Sequence, residues 1–281
     1  MMKTIFITGI SSGIGKALAE AFLKNGDCVI GTVRDENSVS DLKQSFPEQF
    51  KILQIDFLHS SQIARVADLL AQLNISKVDV LINNAGMALA APFEHQDFSE
   101  VQNTIQVNLL AVMQLTQMLI PFVKKTQGRI IQISSVSGEN GTPFLAAYCA
   151  SKYAIEGFSE SLRREMNLFG VKVIIVGPGS VQTPIWDKGF QKIKSLYQNT
   201  DYKNSFNRFM AFADSEKNNA LPVSDLVDVI FDAAYSSSPK IRYAPVPRAW
   251  MNRTIPRLLP KAFFDRLTCK ALGLTPEAPS K

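Results

Sequence analysis

Two side chains four positions apart, Tyr148 and Lys152, have the types and spacing that proton transfer requires. They fall within residues 146–169, a segment of helical length, so a spacing of four places both on one helix face. A free phenol has a pKa near 10 and is a poor base at neutral pH, but a neighbouring ammonium group favours the phenolate. Lowering that pKa to about 7 takes roughly 4 kcal/mol of differential stabilisation. Taken alone, a Tyr–Lys pair on a helix is more often part of a solvated face.

A glycine-rich turn near the N-terminus is the second feature with chemical potential. It follows the strand-like run 4–8, precedes a helical segment, and contains Gly9, Ser11, Ser12, Gly13, Ile14 and Gly15. Glycines let a backbone approach a pyrophosphate closely, and a helix N-terminus offers free N–H groups and a positive dipole end. The spacing Gly-x-x-x-Gly-x-Gly differs from the commonest dinucleotide fingerprint, and three glycines in seven positions also fit a simple turn.

The elements that must position these residues alternate along the chain. Short runs rich in Ile and Val predict buried strands at residues 4–8, 28–33, 52–55, 78–82, 129–134 and 171–176, with a seventh at 242–245. Helical segments lie between them at residues 14–25, 61–73, 99–125 and 146–169. This alternation predicts an α/β fold, a single domain (1–281) built on a doubly wound parallel sheet. Residues 183–220 are interpreted as a substrate lid, and residues 248–281 as a basic, apolar C-terminal extension.

The composition argues against several classes of protein. A net charge of +5 is spread thinly over most of the chain, which argues against a nucleic-acid partner, although cations are close together in the tail. Three cysteines in no zinc pattern and only two histidines argue against a metal site. The N-terminus lacks the shape of a signal peptide, and polar residues interrupt the apolar stretch 105–123, which is typical of a buried helix. A cytoplasmic location is therefore expected.

Five motifs, taken in their order and spacing, point to one family. They are the glycine turn, Asn83-Asn84-Ala85-Gly86 after a strand, Asn108 in a helix, Ser135 thirteen residues before the Tyr148-x-x-x-Lys152 pair, and Gly177-Pro178-Gly179 with Thr183. Together they resemble the classical short-chain dehydrogenase/reductase family, closely over about residues 1–185 and in general layout beyond them. The resemblance implies a Rossmann-like domain with a seven-stranded sheet, a nicotinamide cofactor, and a homodimer or homotetramer.

The resemblance also implies a division of roles at the catalytic centre. Tyr148 would donate or accept the proton as hydride moves to or from the carbonyl carbon. Ser135 would hydrogen-bond and polarise the substrate oxygen, although two neighbouring serines are alternatives. Lys152 would bind the ribose of the nicotinamide, and Asn108 would support a water-linked proton path to it. An Asn at this position can equally satisfy backbone groups.

Other residues are assigned to the cofactor by the same resemblance. Asn84-Ala85-Gly86 would lie against the adenosine half, where a small glycine permits close approach. Asp56, at the end of the third strand, would lie near the adenine amino group, although capping the next helix is an equally good role for it. Pro178 and Gly179 would line the nicotinamide end, and Thr183 would contact the carboxamide or the phosphates.

The residues after the second strand bear on the choice between NAD and NADP. An acid at the strand end grips the ribose 2′-hydroxyl of NAD and repels the 2′-phosphate of NADP. Here the run 28–33 ends in valine, and the next residue, Arg34, can meet a phosphate with a charge-assisted contact. Asp35 would turn the preference to NAD if the strand ended later, and the two residues can also be an exposed pair. The earlier strand end predicts NADP(H) over NAD(H).

The substrate is expected to be a bulky apolar alcohol or carbonyl compound, of steroid, retinoid or lipid type. Aromatic residues crowd the expected mouth of the site: Phe144, Trp186, Phe190, Tyr197, Phe206, Phe209 and Phe212. The tail 248–267 mixes cations with large apolar residues, a composition typical of a segment that makes weak contact with a membrane surface. Pro256 and Pro260 would break a long helix there, which favours instead a segment packed over the substrate pocket or a subunit interface.

Three other functions compete with a ketone or aldehyde reductase. By resemblance, a 3-oxoacyl thioester reductase uses the same residues on another substrate. A non-catalytic NADP-binding regulator tends to lack the tyrosine or the lysine, and this chain keeps Ser135, Tyr148 and Lys152. An epimerase or dehydratase shares the Tyr-x-x-x-Lys pair but has a different glycine spacing and a longer chain. An oxidoreductase that interconverts a carbonyl and an alcohol is therefore expected.

Overall fold

A computed structural model describes residues 2–183, 197 and 199–276 of the chain. Its centre is a sheet of seven strands: β1 Thr4–Ile7, β2 Cys28–Val33, β3 Phe50–Gln54, β4 Val80–Asn83, β5 Arg129–Ile133, β6 Lys172–Val176 and β7 Arg242–Tyr243. The spatial order is β3-β2-β1-β4-β5-β6-β7, and each neighbouring pair is parallel. The predicted doubly wound α/β sheet is confirmed.

Helices connect the strands and cover both faces of the sheet. They are α1 Gly13–Lys24, α2 Ser40–Ser45, α3 Ser60–Ile63, α4 Val66–Gln72, α5 Phe98–Ile105, α6 Ala111–Lys124, α7 Ala146–Met166, α8 Lys203–Asn218, α9 Val223–Tyr235, α10 Ile255–Leu258 and α11 Lys261–Leu272. One face of the sheet packs on α1 and α9, around Phe22 and Ile230. The other face packs on α4, α6 and α7, around Leu119 and Leu162. The strands are nearly continuous in hydrophobicity because both of their faces are covered.

The predicted helix 99–125 is one helical run that is not regular along its length. A π-helical turn, Gln106–Leu110, separates α5 from α6 and contains the buried Asn108. Such a turn inserts a residue into the helical repeat and is frequent at functional sites. The predicted helix 61–73 is likewise divided, into α3 and α4. Apolar periodicity did not predict either break, because both leave the overall helical pattern in place.

The helical run Phe98–Lys124 is long and apolar. By length and composition alone it could cross a membrane, with a mean hydropathy of 1.4 over an 18-residue window of which 33% is buried. The sequence had suggested that polar residues make this stretch a poor membrane span. By length and composition they do not exclude one. In the fold, Leu115, Leu119 and Val123 pack with β4 and β5 residues, as expected of a helix covering a sheet.

The C-terminal third of the chain departs from strand–helix alternation. Helix α8 occupies much of the predicted lid, and the extension forms a π turn, Trp250–Thr254, followed by α10 and α11. The run breaks at Pro260, which lies at the start of α11. Leu272 is buried, whereas Trp250 and Leu258 are 66% and 72% exposed. The extension is therefore attached to the domain at a few points and exposes much apolar surface.

Candidate active site

The residues singled out from the sequence converge at one edge of the sheet. The glycine turn follows β1, Arg34 follows β2, Asn84 follows β4, Ser135 follows β5 and Pro178 follows β6. Parallel strands bring their carboxyl ends to the same edge, and ligands bind where the strand order reverses. In this sheet the reversal lies between β1 and β4. The fold therefore brings these five strand ends, and the predicted site residues that follow them, together at one crevice.

The glycine turn has no side chain at the positions where its backbone lies closest to neighbouring backbone. Gly9 has a φ of +70°, and an added Cβ would lie 2.9 Å from the Cα of Ala85. A Cβ on Gly15 would overlap the carbonyl oxygen of Gly9. Helix α1 begins at Gly13, and the side chain of the N-cap Ser12 makes no capping bond within the described residues. Close backbone approach and N–H groups at a helix N-terminus fit an anionic pyrophosphate. Ser11 is exposed in the same turn, and Ile14 is half-buried.

The Asn84-Ala85-Gly86 segment is tied to that turn by Thr8. The backbone N–H groups of Asn84 and Ala85 donate to Oγ1 of Thr8 at 2.9 and 2.8 Å, and Nδ2 of Asn84 donates to the Thr8 carbonyl oxygen at 2.8 Å. A Cβ on Gly86 would lie 3.9 Å from Nζ of Lys152, so this glycine also borders the helix of Tyr148 and Lys152. Sequence reasoning did not assign Thr8 to the site, although this residue immediately precedes Gly9 in the glycine motif.

Asn108 uses its side chain to hold neighbouring backbone. Its Oδ1 accepts the N–H of Met87 at 2.8 Å, and its Nδ2 donates to the Met87 carbonyl oxygen at 2.9 Å and to Oγ of Ser151 at 3.1 Å. The amide thus joins the loop after β4 to helix α7, one residue away from Lys152. Of the two roles foreseen for Asn108, the structure contains the backbone one, and a water-linked proton path stays a prediction.

Tyr148 and Ser135 form the centre of the site. Tyr148 lies in the first turn of α7, is 7% exposed, and shares a side-chain hydrogen bond with Ser135. Ser135 lies two residues after the end of β5, and its Oγ also accepts the N–H of Ser137 at 3.1 Å. Ser135 is thus the serine beside the phenol, in preference to the neighbouring Ser134 and Ser137. Burial raises the pKa of Tyr148 to about 12, against a smaller lowering by the Ser135 hydrogen bond.

Lys152 is buried on the next turn of α7. Its Nζ donates to the Ile133 carbonyl oxygen at 2.8 Å and lies 5.8 Å from the centre of the Tyr148 ring. Burial lowers the pKa of Lys152 to about 8, and the carboxylate of Glu156 acts in the opposite direction. The lowering of the phenol pKa expected from Lys152 is therefore absent in the protein alone, where burial is the largest influence on the pKa of both groups. Sequence reasoning missed Glu156, one helical turn beyond Lys152.

Strand β2 ends at the earlier of the two positions considered from the sequence, the one that predicts NADP(H). The strand ends at Val33, and Arg34 is exposed immediately after it. The Asp35 carboxylate caps a short 3-10 turn by accepting the backbone N–H and the Nδ2 of Asn37, both at 3.0 Å. Asp35 is therefore engaged in local structure, and Arg34 is the first charged side chain beyond the strand.

The remaining predicted cofactor residues also lie along this edge. Oδ1 of Asp56 accepts the N–H of Leu58 at 3.0 Å, while the N-cap of α3 is His59, so Asp56 stabilises a turn and does not cap the helix itself. The Pro178 carbonyl oxygen accepts the N–H of Val136 at 3.0 Å, which joins the β6 loop to the loop of Ser135. Gly179 and Thr183 are half-buried.

An aromatic cluster covers Tyr148. Phe144, Tyr197, Phe206 and Phe209 are buried with it, together with Leu272 from the C-terminal extension. The ring centre of Phe144 lies 5.3 Å from that of Phe206 and 5.4 Å from that of Phe209. Phe144 has a φ of +66°, an uncommon conformation for a bulky residue. Such strain persists where the surroundings enforce it, and it is frequent at functional sites.

Three aromatics foreseen at the mouth lie outside this cluster or outside the described residues. Phe212 is described and is 52% exposed. Trp186 and Phe190 lie outside the residues that the structure describes. Among the described residues, no group of three His, Cys, Asp or Glu side chains is arranged to hold a metal ion.

Comparison with protein families identifies close relatives of this arrangement. A family model described as short chain dehydrogenase matches residues 3–194. A protein of Ornithobacterium rhinotracheale, described as an NADPH-dependent 3-dehydrocapnine reductase, is 32% identical over an alignment of 277 residues that covers 96% of this chain and 98% of that protein. A 3-ketodihydrosphingosine reductase of Bacteroides thetaiotaomicron is 33% identical over 219 residues, covering 77% of this chain and 78% of the other.

Solved structures give the same answer for the fold. The crystal structure of a short-chain dehydrogenase from Streptomyces avermitilis superposes with a TM-score of 0.77 at 27% identity, and the match covers 98% of both chains. The similarity therefore extends through the C-terminal extension and is not confined to the motif-bearing half of the chain.

Proposed function

The chain belongs to the short chain dehydrogenase family and is an oxidoreductase, and from that premise we propose that it reduces a bulky apolar ketone with NADPH. The observation that carries the proposal is the buried Tyr148 hydrogen-bonded to Ser135, with Lys152 on the next turn and the glycine cradle at the same sheet edge. This arrangement joins a proton donor, a carbonyl-polarising group and a pyrophosphate cradle. No metal is required by these residues.

The chain's own residues account for proton transfer and orientation. When bound, the nicotinamide supplies the hydride. Ser135 Oγ holds and polarises the carbonyl oxygen, and Tyr148 Oη donates the proton that this oxygen takes up. Lys152 would bind the ribose hydroxyls through its ammonium and stabilise the phenolate as it forms. The aromatic cluster over Tyr148 keeps bulk water away from the reacting atoms.

The protonation state of Tyr148 at neutral pH is the one that reduction uses. A phenol with a pKa near 12 is protonated at neutral pH, so the proton is in place, but the phenol is a weak acid until positive charge from Lys152 and the cofactor stabilises the phenolate. Oxidation of the alcohol needs the phenolate, which becomes accessible only if cofactor charge lowers that pKa. We therefore propose that turnover in the oxidative direction rises with pH and that carbonyl reduction is the faster reaction near pH 7.

NADP(H) is the proposed cofactor, with Arg34 as the residue that meets the 2′-phosphate. Support comes from the strand end at Val33, the engagement of Asp35 in capping, and the name of the Ornithobacterium relative. A charge-assisted contact of about 1.5–3 kcal/mol corresponds to roughly 10- to 150-fold in affinity. Arg34→Ala should weaken NADPH by that factor in direct titration and leave NADH nearly unchanged, whereas the exposed Arg65→Ala serves as the control. Tighter binding of NADH than NADPH by the wild-type protein would move the role to Asp35.

The substrate class rests on the apolar cluster over the catalytic tyrosine. The two relatives are named as reductases of 3-dehydrocapnine and 3-ketodihydrosphingosine, and a third, 34% identical over 221 residues, is named as a retinol dehydrogenase, which supports a bulky apolar substrate of lipid or retinoid type. NADPH oxidation should be measured with 3-ketodihydrosphingosine, a steroid ketone, retinal and an acetoacetyl thioester. Preferred turnover of the thioester would replace this proposal with the 3-oxoacyl reductase alternative, and absence of turnover with every compound would favour a regulator.

A weak contact with a membrane surface is proposed for the C-terminal extension. Residues 248–281 contain seven of the 30 Lys and Arg and two of the 25 Asp and Glu, so they carry the whole formal net charge of +5. Trp250, Leu258, Phe263 and Leu267 are each at least 47% exposed beside those cations. Apolar side chains next to basic ones suit an anionic lipid surface. The intact chain should float with vesicles containing phosphatidylserine, and a chain truncated after Ala249 should not.

A homodimer or homotetramer is also proposed. Leu110, Met113 and Tyr153 are 50%, 39% and 45% exposed on contacting helical segments around α6 and α7. Large exposed apolar side chains on neighbouring helices favour burial against a second copy. Light scattering coupled to gel filtration gives the mass directly, and a monomer at micromolar concentration would contradict the proposal.

A further inference from the structure

Glu139 stands at the end of the loop that holds the catalytic serine. Ser135 caps the 3-10 turn Val136–Gly138, and the N–H of Glu139 donates to the Val136 carbonyl oxygen at 3.0 Å. The N–H of Val136 is in turn bonded to Pro178 in the β6 loop. The backbone of Glu139 is therefore connected through short hydrogen-bonded steps to the catalytic serine and to the loop assigned to the nicotinamide end.

Three arginines converge on the Glu139 carboxylate. Arg253 donates from Nε to Oε2 at 2.7 Å and from Nη2 to Oε1 at 2.9 Å, a fork-shaped pair. Arg257 donates from Nη1 to Oε1 at 3.0 Å, and Nε of Arg242 lies 3.3 Å from the same oxygen. The Glu139 side chain is only 13% exposed. Burial acts to raise the pKa of Glu139, but the hydrogen bond from Arg253 and the three positive charges outweigh it and hold that pKa below its usual value.

Arg242 extends the network to the catalytic helix. Its Nη1 donates to the carboxylate of Glu156, which lies one turn beyond Lys152 on α7. Arg242 also packs against Gly177, where an added Cβ would overlap its guanidinium group. The two carboxylates thus join the C-terminal extension, β7, the β6 loop and the helix of Lys152. Surface pairs contribute little, but charges buried to this degree are costly to leave without a partner.

We propose that Glu139 is a positioning residue that latches the C-terminal extension 248–276 onto the loop of Ser135 and, through Arg242, onto the helix of Lys152. The extension then forms one wall of the substrate site, where its Leu272 already packs in the cluster over Tyr148. Opening the latch displaces this wall and loosens the loop that orients Ser135. The catalytic consequence rests on the proposed function, whereas attachment of the extension does not.

Limited proteolysis tests the latch without any assay of activity. Glu139→Gln keeps the shape of the side chain and removes the charge that binds Arg253 and Arg257. Trypsin should then cleave after Arg248 and Arg257 about tenfold faster or more, because cleavage follows the population of the opened segment. Glu160→Gln, which removes an exposed partner of Arg164 on α7, is the matched control and should digest like the wild-type protein.

A double-mutant cycle separates a specific latch from general loosening. Arg253→Gln should accelerate cleavage after Arg257 much as Glu139→Gln does, and the double variant should be no worse than the more affected single variant, because the pair acts as a unit. Additive effects, or digestion of Glu139→Gln at the wild-type rate, would overturn the proposal. If Glu139→Gln does not fold, Arg253→Gln carries the same expectation from the other side of the latch, and Arg257→Gln carries it for cleavage after Arg248.

Kinetics with NADPH and 3-ketodihydrosphingosine distinguish positioning from mere stability. Glu139→Gln should lower kcat between about 10- and 100-fold, the range that small misplacement of a catalytic group produces. The Kd for NADPH should rise much less than kcat falls, because the glycine turn and Arg34 lie at other strands, and Glu139→Asp should recover part of kcat. Parallel losses in NADPH binding and kcat, without recovery by Asp, would mean that Glu139 is structural only.

Discussion

The catalytic region, residues 2–183, and the C-terminal extension, residues 248–276, are held in place by different forces. In the first, strands are covered on both faces and Tyr148 and Lys152 are 7% and 6% exposed. In the second, Trp250 and Leu258 are largely exposed, and ion pairs to Glu139 attach the segment. Buried apolar area stabilises the first region almost independently of ionic conditions, whereas salt and charge substitution act on the second.

This difference separates the residues on which folding and chemistry depend from exposed residues that are available to partners. The catalytic region places two ionisable side chains in an apolar environment, and the pKa shifts of Tyr148 and Lys152 follow from that burial. The extension contributes Leu272 to the site but leaves Phe263 and Leu267 in solvent. Substitutions in the first region should therefore change folding and chemistry, and substitutions in the exposed part of the second should change partners alone.

Leu119→Ala is expected to have the largest effect on stability. Leu119 is fully buried between α6 and the sheet, and removing its side chain leaves a cavity. The free energy of unfolding should fall by about 2–5 kcal/mol in urea denaturation. A loss below 1 kcal/mol would show that the helix is not packed on the sheet as described, and would remove the contrast with the extension.

Tyr148→Phe removes one hydroxyl from the catalytic region. Turnover should fall about 100-fold or more, which is what a positioned acid–base group contributes. NADPH affinity in direct titration should survive, and the unfolding midpoint should change little, because the phenol is uncharged at neutral pH in the folded and the unfolded chain and only its hydrogen bond to Ser135 is lost. Near-wild-type turnover by the Phe variant on an identified substrate would refute the assignment of Tyr148 as the proton donor.

Lys152→Met tests whether the catalytic lysine is destabilising. The pKa of Lys152 falls from 10.5 to about 8 on folding, so at pH 7 the protonated amine opposes folding by up to about 3 kcal/mol. Lys152→Met should therefore unfold at higher urea concentration than the wild type at pH 7. The difference in the free energy of unfolding between Lys152→Met and the wild type should decrease by about 1.4 kcal/mol per pH unit above pH 8. Above that pH the unfolded wild-type chain still holds the proton that the folded chain has lost. A gap that does not depend on pH would contradict the shift.

Phe263→Ser should have the smallest effect on stability, because the side chain is 48% exposed. The free energy of unfolding should change by less than about 0.5 kcal/mol. Flotation with phosphatidylserine vesicles should nevertheless decrease, since an apolar anchor is lost. Exposed Leu168→Ser, on the turn after α7, is the control and should leave flotation unchanged. If Phe263→Ser floats as well as Leu168→Ser, the proposed membrane contact of the extension would be wrong, and only its role at the substrate site would remain.

The sequence predicted the catalytic region well because its signals are local. The run 28–33 is a strand with those same bounds, and the spacing of Ser135, Tyr148 and Lys152 identified residues that meet at one crevice. Periodicity over a few residues encodes strands and helices, and parallel strands bring their carboxyl ends together whatever their separation in the chain. The family and its fold followed from these motifs, and the comparisons confirm both.

Other properties were decided by tertiary structure alone. The π turn around Asn108, the high pKa of Tyr148 and the role of Thr8 depend on which groups surround each residue after folding. The Glu139 network joins residues 114 positions apart, and nothing near Glu139 in the sequence marks it. Burial and ion pairing between distant segments have no local signature, because desolvation is set by the packed neighbours and not by the chain on either side. The amino-acid sequence by itself therefore identified the residues proposed to be catalytic, and folding determined their burial, the direction of their pKa shifts and what holds the extension against them.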